Sequence, residues 1–393
     1  MTGQPPTTIL LRNARIVFPE RAAKASLLIH EKHIARIVES DTKPEADSIV
    51  DLEGLTLFPG FIDVHIHGAV GVDTMEASAA DLNRVSEFLA TQGVTGWLPT
   101  LVPGPVADYS RAIKAIEEGS NLKTGARILG VHYEGPFVNS AQCGALRSQF
   151  FRTYSGTSDV SDLPVLPVDG GKHMMTLAPE IDGGIELTRE LTKRGWVVSI
   201  GHTRADFDLL NKAFEAGAHH MTHFMNAMAP LHHRSPGPVA WGLLHDEVSC
   251  DVIADGVHLD SNVLQLLLKT KTARRLMLIS DSVIAAGLGD GDYKIWGETI
   301  SVRDRRTSNE KGSIAGSVIS MLDAVRMMKS QGASEMELAQ MASTNPARLL
   351  GIDHDCGSIE EGKRADLVAM DRDGNIQLTI VGGNVIRLPN RSQ

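Results

Sequence analysis

The stretch PGFIDVHIHG, residues 59–68, decides how the rest of the chain is read. Its apolar half, Phe61 to Val64, has the length of a buried strand, and His65 and His67 follow two positions apart. Alternate residues of a strand share a face, so both imidazoles point the same way. Isolated, an HxH pair is more often two surface histidines. Here an apolar strand precedes it and Gly68 follows, which favours ligands for a metal.

Outward from this stretch the same pattern repeats. Apolar runs of about five residues alternate with amphipathic stretches of helical length, the signature of βα units. Strands are expected near residues 60–64, 95–99, 127–131, 174–177, 196–200, 220–223, 248–253 and 275–279, with helices such as 80–92 and 185–194 between them. The fold class is α/β, a (β/α)8 TIM-like barrel. In such a barrel the side chains at the carboxyl ends of the strands meet at one mouth. Ser334 with Glu337 reads as a capping box, and Asn345-Pro346 as the opening of a further helix that Gly351 closes.

The two ends of the chain read differently. Residues 8–16, 26–30, 33–39 and 48–57 are β-prone pieces separated by turns; 367–370 and 378–381 are similar, with Asp373-Gly374 as a hairpin turn. Both ends flank the barrel, so residues 1–58 plus 357–393 are expected to pair into a small β-sandwich domain, and 59–356 to form the barrel.

Composition sets limits. A chain of 393 residues that is 42% hydrophobic can bury a large core. Its net charge of −10 and the lack of a long basic run argue against nucleic acid as a partner. No run has the length of a membrane span, and residues 1–8 lack a basic stretch followed by an apolar core, so a cytoplasmic location is expected. Cys143, Cys250 and Cys356 suit a reducing compartment and form neither a zinc-knuckle spacing nor a disulfide ladder.

Further chemistry-bearing residues stand at or near strand ends. Glu134 in VHYEGPF follows an apolar strand, where an unpaired charge is costly; a salt bridge or helix cap is the plain alternative. His202 in SIGHT and His223 in MTHFMNAM are core histidines or ligands. One carboxylate with two imidazoles is a zinc-type donor set that leaves room for water. Asp281 in LISDSV, after the last strand, caps a turn or moves a proton beside an activated water; its place at the same mouth favours the second. His258 follows the seventh strand. His132, two before Glu134, is a packed second-layer histidine or lines the mouth. Of His219 and His220, one packs and the other is solvated.

These motifs resemble the metal-dependent amidohydrolase superfamily, and the finer ones look like its N-acetylglucosamine-6-phosphate deacetylase family. They are PGFIDVHIHG, HYEGPF, MMTLAPE, GHT, THFMNAM, ADGVH, AGSVISM, TNPARLLG and GSIEEGKRADLV, spread from about Gly54 to Val368. The resemblance implies an enzyme that hydrolyses the N-acetyl group of N-acetylglucosamine-6-phosphate, giving glucosamine-6-phosphate and acetate. It makes Glu134, His202 and His223 the primary ligands of a divalent metal, zinc first, with iron or manganese as alternatives. His65 and His67 leave room for a second ion, with Asp281 then serving as both ligand and base, so one or two ions stay open. Asp281 becomes the acid/base and His258 the group that polarises the scissile carbonyl. Asn226 and the backbone of Ala227 would bind the phosphate side of the sugar, and Arg234 would reach the phosphate from the neighbouring subunit of a homodimer. Without the resemblance, Asn226 reads as a helix cap and Arg234 as a loop cation. Cys143 would sit on a lid over the substrate, unless it is an inert loop thiol. After EGPF the family commonly has a glycine, a small residue and a histidine; here the run is CGAL, so Leu146 withdraws one donor. That departure keeps other N-acyl amino-sugar phosphates and N-acyl-D-amino acids open as substrates. A non-enzymatic scaffold is the remaining rival, disfavoured by the full donor set.

Overall fold

The computed structural model describes residues 8–38, 44–121, 124–167, 171–295 and 298–387. Its centre is a nearly closed barrel of eight parallel strands: Phe61–Ile66, Val94–Leu101, Arg127–Ile128 continuing as Gly130–Glu134, Lys172–Leu177, Val197–Ile200, His220–Met221, Ser249–Ile253 and Leu276–Ile279. Each pairs in parallel with the next. The eighth meets the first through Asp281 N–H donating to His65 O at 2.9 Å. Beneath that bond the buried Asp63 carboxylate accepts from the Ser280 hydroxyl at 2.5 Å. Burial pushes the Asp63 carboxyl up to about 6, against the pull of these donors.

The barrel strands are buried on both faces, which is why they read as continuous apolar runs rather than alternations. Helices cover the outside. Ala79–Thr91 begins with a capping box between Ser78 and Asp81, and Gly184–Lys193 matches the expected 185–194 within a residue. Ser334 and Glu337 also form their box. Asn345-Pro346 opens the helix Asn345–Leu349 as expected, with Gly351 at φ of 63° just past its end, and the chain from Glu335 reaches it through a π-helical turn, Gln340–Thr344. The wider turn accommodates a proline that an α-helical interior would reject. The Asn345 amide is thereby free to donate to Ala273 O and Leu276 O, each at 2.7 Å, pinning the helix to the base of the eighth strand.

Both chain ends join one mixed sheet over a separate apolar core that includes Leu11, Leu27, Leu57, Leu367 and Ile380. The run 48–57 is two strands, Ser48–Asp51 and Thr56–Pro59, because the chain turns at Gly54 with φ of 81°. Both pair in parallel with Thr8–Val17, and Thr56–Pro59 pairs antiparallel with Leu367–Met370, joining the two ends. Glu39, the end of the expected strand 33–39, lies outside the described residues. One further sheet was not anticipated: Gly291–Ile295, Glu298–Arg303 and Arg306–Ser308 form an antiparallel sheet between the eighth strand and the helix Met321–Ser330.

Candidate active site

The barrel mouth gathers the residues that the sequence scatters. Glu134 Oε1 lies 3.0 Å from His202 Nε2 and 3.0 Å from His223 Nε2, and the two nitrogens are 3.1 Å apart. On the other side of the carboxylate, His67 Nε2 is 3.4 Å from Glu134 Oε2, and His65 Nε2 is 3.2 Å from His67 Nε2. Asp281 Oδ1 is 3.1 Å from His67 Nε2 and 3.6 Å from His65 Nε2. Glu134 therefore belongs to two buried donor groups, one with His202 and His223, the other with His65 and His67.

These spacings are those of ligands round an ion. Donors at tetrahedral corners with bonds of about 2.1 Å stand about 3.4 Å apart. Two imidazole nitrogens facing each other at such a distance repel unless a proton or a cation lies between them. The outward nitrogens of His202, His223 and His65 are occupied in the way ligation requires, while His67 Nδ1 is buried without a partner among the described residues. His202 Nδ1–H donates to Gln142 O at 2.8 Å and His223 Nδ1–H to Asn226 O at 3.2 Å, leaving both Nε2 lone pairs for the centre. His65 Nδ1 is 3.0 Å from Thr222 Oγ1. The donor set fits a divalent cation.

The local backbone is forced into this arrangement. His202, His223, Ala227 and Asp281 have φ of 48°, 28°, 49° and 48°, the left-handed region that side-chain-bearing residues rarely enter. Such residues cost on the order of 1–3 kcal/mol each and persist only where neighbours over-determine them. Here the neighbours are visible. Asp251, fully buried, accepts from the His223 amide and from His220 Nε2. Asp281 O accepts from Ser317 N at 2.7 Å, and His202 O from Asn139 N at 3.1 Å.

Electrostatics agree with the geometry. Burial alone would raise the Glu134 carboxyl, but His65 and the hydrogen bonds from His202 and His223 hold it well below the usual carboxylate range. Asp281 is likewise held down, against burial, by His65 and His67. Burial opposes the charged forms of His67 and His223, yet hydrogen bonds donated to the Asp281 and Glu134 carboxylates respectively, with the charges around them, lift both to about 9. Without a cation, protons take the place of the positive charge the carboxylates demand.

Above this floor opens a cavity of about 310 Å³. His67, Glu134, His202, His223 and Asp281 line its base, and Asn226, Ala227 and His258 its side. Asn226 Nδ2 is buried without a partner there, a donor available to a bound molecule. Arg234 is not in the wall; it is exposed, with Nη1 2.7 Å from His233 Nε2. Cys143 is also outside the described wall, which takes Gly144, Ala145 and Leu146 from the same loop instead. His132 lies one layer down, its Nε2 2.8 Å from Thr176 Oγ1, and burial pushes its pKa well below the usual value. His220 is buried and His219 exposed, stacked on Phe214.

The comparisons with known proteins join this geometry. The Amidohydrolase family model matches residues 56–386. This chain belongs to the amidohydrolase family. The N-acetylglucosamine-6-phosphate deacetylase of Bacillus subtilis is 37% identical, over 96% of this chain and 97% of that one. The N-acetylgalactosamine-6-phosphate deacetylase of Escherichia coli O157:H7 is 34% identical, over 91% and 94%. The crystal structure of the N-acetylglucosamine-6-phosphate deacetylase from Pasteurella multocida superposes with a TM-score of 0.88 at 30% identity, covering 96% of this chain and 99% of that one.

What the sequence reading of this amidohydrolase missed is the far wall. Ile295, Glu298, Ile300, Asn309 and Ser313 line the cavity from the unanticipated sheet and the turn after it. Ile295, Ile300 and Ala315 pack together with Ala145 of the 140–146 loop, so the two segments meet over the base. A signal existed: TISV, residues 299–302, alternates polar and apolar, and Asp304-Arg305 marks a turn.

Proposed function

We propose that this metal-dependent amide hydrolase removes the N-acetyl group of N-acetylglucosamine-6-phosphate, yielding glucosamine-6-phosphate and acetate. The observation that carries the reading is Asp281 Oδ1 set 3.1 Å from His67 Nε2 at the edge of the Glu134 donor groups, in a cavity that also presents Asn226 and His258. Glu134, His202 and His223 hold a divalent metal, and His65 and His67 with Glu134 offer a place for a second. Nitrogen and oxygen donors with few ligands favour zinc. When bound, such an ion supplies Lewis-acid activation of water and of the amide carbonyl.

The chain's own groups do the rest. Asp281, ionised at neutral pH, takes a proton from the attacking water as its oxygen bonds to the carbonyl carbon. His258 meets the carbonyl oxygen from the cavity side as negative charge collects there. Asp281 returns the proton to the amide nitrogen; the C–N bond breaks, leaving the sugar's amine and acetate. The Asn226 side chain and Ala227 backbone take the phosphate side of the sugar. Arg234, exposed and outside its own cavity, suits a homodimer in which it reaches the partner's substrate phosphate, where a guanidinium pairs well with phosphate oxygens. The described residues within 1–58 and 357–393 form the smaller domain, and those within 59–356 the catalytic barrel. Three free thiols suit a cytoplasmic protein; no helix of the described residues is long and apolar enough to cross a membrane.

A second reading has an observation of its own. Leu146 lines the cavity where a hydrogen-bonding side chain is common in the family, which favours an altered choice of sugar, such as N-acetylgalactosamine-6-phosphate. The test is acetate release from both phosphates, from unphosphorylated N-acetylglucosamine and from an N-acyl-D-amino acid, with metal content and molecular mass measured on the same protein. Turnover of a 6-phosphate at least about 100-fold above the others is expected; preference for the acyl amino acid would sink the proposal.

A further inference from the structure

His258 enters the cavity from the turn after the seventh barrel strand, and its side chain is only 8% exposed. Its Nδ1 lies 2.7 Å from Asp255 Oδ2. The other carboxylate oxygen, Oδ1, accepts from the Val257 and His258 amides, each at 2.8 Å. One carboxylate thus closes the turn with one oxygen and grips the ring with the other. Burial alone would raise the Asp255 carboxyl, but the hydrogen bonds and charge of His258 keep it below the usual range, so it is anionic. Facing an anion, Nδ1 carries a proton. A neutral ring protonated there offers only a lone pair at Nε2, which repels a carbonyl oxygen; a cationic ring offers N–H. The remaining ionisable groups facing the cavity are His67, His202, His223, Glu134, Asp281 and Glu298, all on other elements, and among the described residues the hydrogen-bond and ion-pair partner of the His258 ring is Asp255.

We propose that Asp255 is a positioning residue that holds His258 as an imidazolium, with its Nε2–H turned to the scissile carbonyl. The inference rests on the reading of His258 given above and adds what makes that reading chemically possible. The carboxylate supplies the counter-charge, fixes the ring plane, and leaves one N–H for oxygen as the C=O bond lengthens. The arrangement parallels the general rule that a carboxylate behind a catalytic histidine sets its tautomer and steadies its charge.

The test uses metal-loaded protein with Asp255→Asn, which keeps an oxygen for the two turn amides and removes the charge. Asp255→Ser repeats the test if the first variant does not fold. The kcat and KM are measured on N-acetylglucosamine-6-phosphate and on its N-trifluoroacetyl analogue, whose carbonyl needs less polarisation. A loss of kcat of about 10- to 100-fold on the acetyl substrate is expected, the range typical for partners behind a functional group, with KM changed less than about 3-fold. On the trifluoroacetyl analogue the loss shrinks to a few-fold. His258→Asn, run in parallel, should show the same selectivity. Unchanged kcat in Asp255→Asn, or equal losses on both substrates, would overturn the role of Asp255. If His258→Asn itself lacks the selectivity, the assignment of His258 fails instead.

Discussion

At the base of the cavity, Glu134, His202, His223 and Asp281 stand at the ends of strands buried on both faces. Three of the four occupy left-handed backbone pinned by Asp251, Ser317 and Asn139. Across from them, Ile295, Glu298 and Ile300 come from a short antiparallel sheet, and Ala145 and Leu146 from a loop whose structure is two single 3-10 turns. The base is polar and strained, and nearly every polar atom in it has a partner. The roof is largely apolar, with Glu298, Asn309 and Ser313 as its polar residues. Strain held by a rigid barrel suits atoms that must not move during a reaction. A roof carried by loops suits a surface that differs from one relative to the next. The reaction is therefore assigned to the base, and the choice of sugar to the roof.

The largest effect that would break this division is expected at Asp281. Asp281→Asn removes the proton carrier while keeping an oxygen near His67, and should lower kcat on the order of 10³-fold, the scale of a lost general base. Metal content, by elemental analysis, should stay at the wild-type level. Retained turnover would take Asp281 out of the chemistry and leave it a structural cap.

Glu134→Gln should act on both donor groups at once, weakening metal binding on the order of 100-fold or more, since a ligand is lost rather than its support. The same base predicts a pH dependence. In the metal-free protein, His67 and His223 have folded-state pKa values lifted to about 9 from 6.5. Their stabilisation is thus complete below pH 6.5 and disappears as pH rises through 9. Calorimetry in chelator should show the unfolding temperature falling across that window, and metal loading at pH 7 should release protons. A flat profile with no proton release would mean that the two histidines are neutral and that the carboxylates are balanced some other way.

How much of this was legible in the sequence follows the same line between base and roof. Barrel strands announce themselves because they are buried on both faces, and the ligands could be picked out because each ends such a run: His65 after FIDV, Glu134 after GVHY, Asp281 after LMLI. Pairing between the chain ends was also legible, since both were β-prone and flanked the barrel. Other features were hidden for physical reasons. The strands 291–295, 298–303 and 306–308 are rich in charge, and only Ile295, Ile300, Val302 and Thr307 of them are buried, so the segment resembled a loop. The role of Asp255 could not be read at all, because an Asp three residues before a His is an ordinary turn until distances show which oxygen does what.

Arg234 offers a sharper test, because it belongs to neither base nor roof of its own cavity. Arg234→Ala should raise KM for the 6-phosphate by about 10- to 100-fold, the worth of a charge-assisted pair of hydrogen bonds, and leave KM for the unphosphorylated sugar unchanged. If phosphate recognition crosses a subunit boundary, mixing Arg234→Ala with Asp281→Asn protein should restore part of the activity, since one site of each mixed dimer has both residues intact. Equal effects on both substrates would mean that the arginine is a surface cation.

Leu146 gives the smallest effect and the most direct trial of the roof. It is half-buried against the main core yet lines the cavity, on a loop tied to the base where Gln142 O accepts from His202 Nδ1. Leu146→His trades apolar contact for a donor. One added hydrogen bond is worth about 1 kcal/mol, so KM for the preferred sugar phosphate should shift by only about 5-fold, and by different factors for the gluco and galacto epimers. The kcat should hold within about 2-fold, because no group at the base has changed. A large fall in kcat at constant KM would show that the loop reaches the chemistry through Gln142 and His202. Base and roof would then be one machine, and the division drawn above would have to be given up.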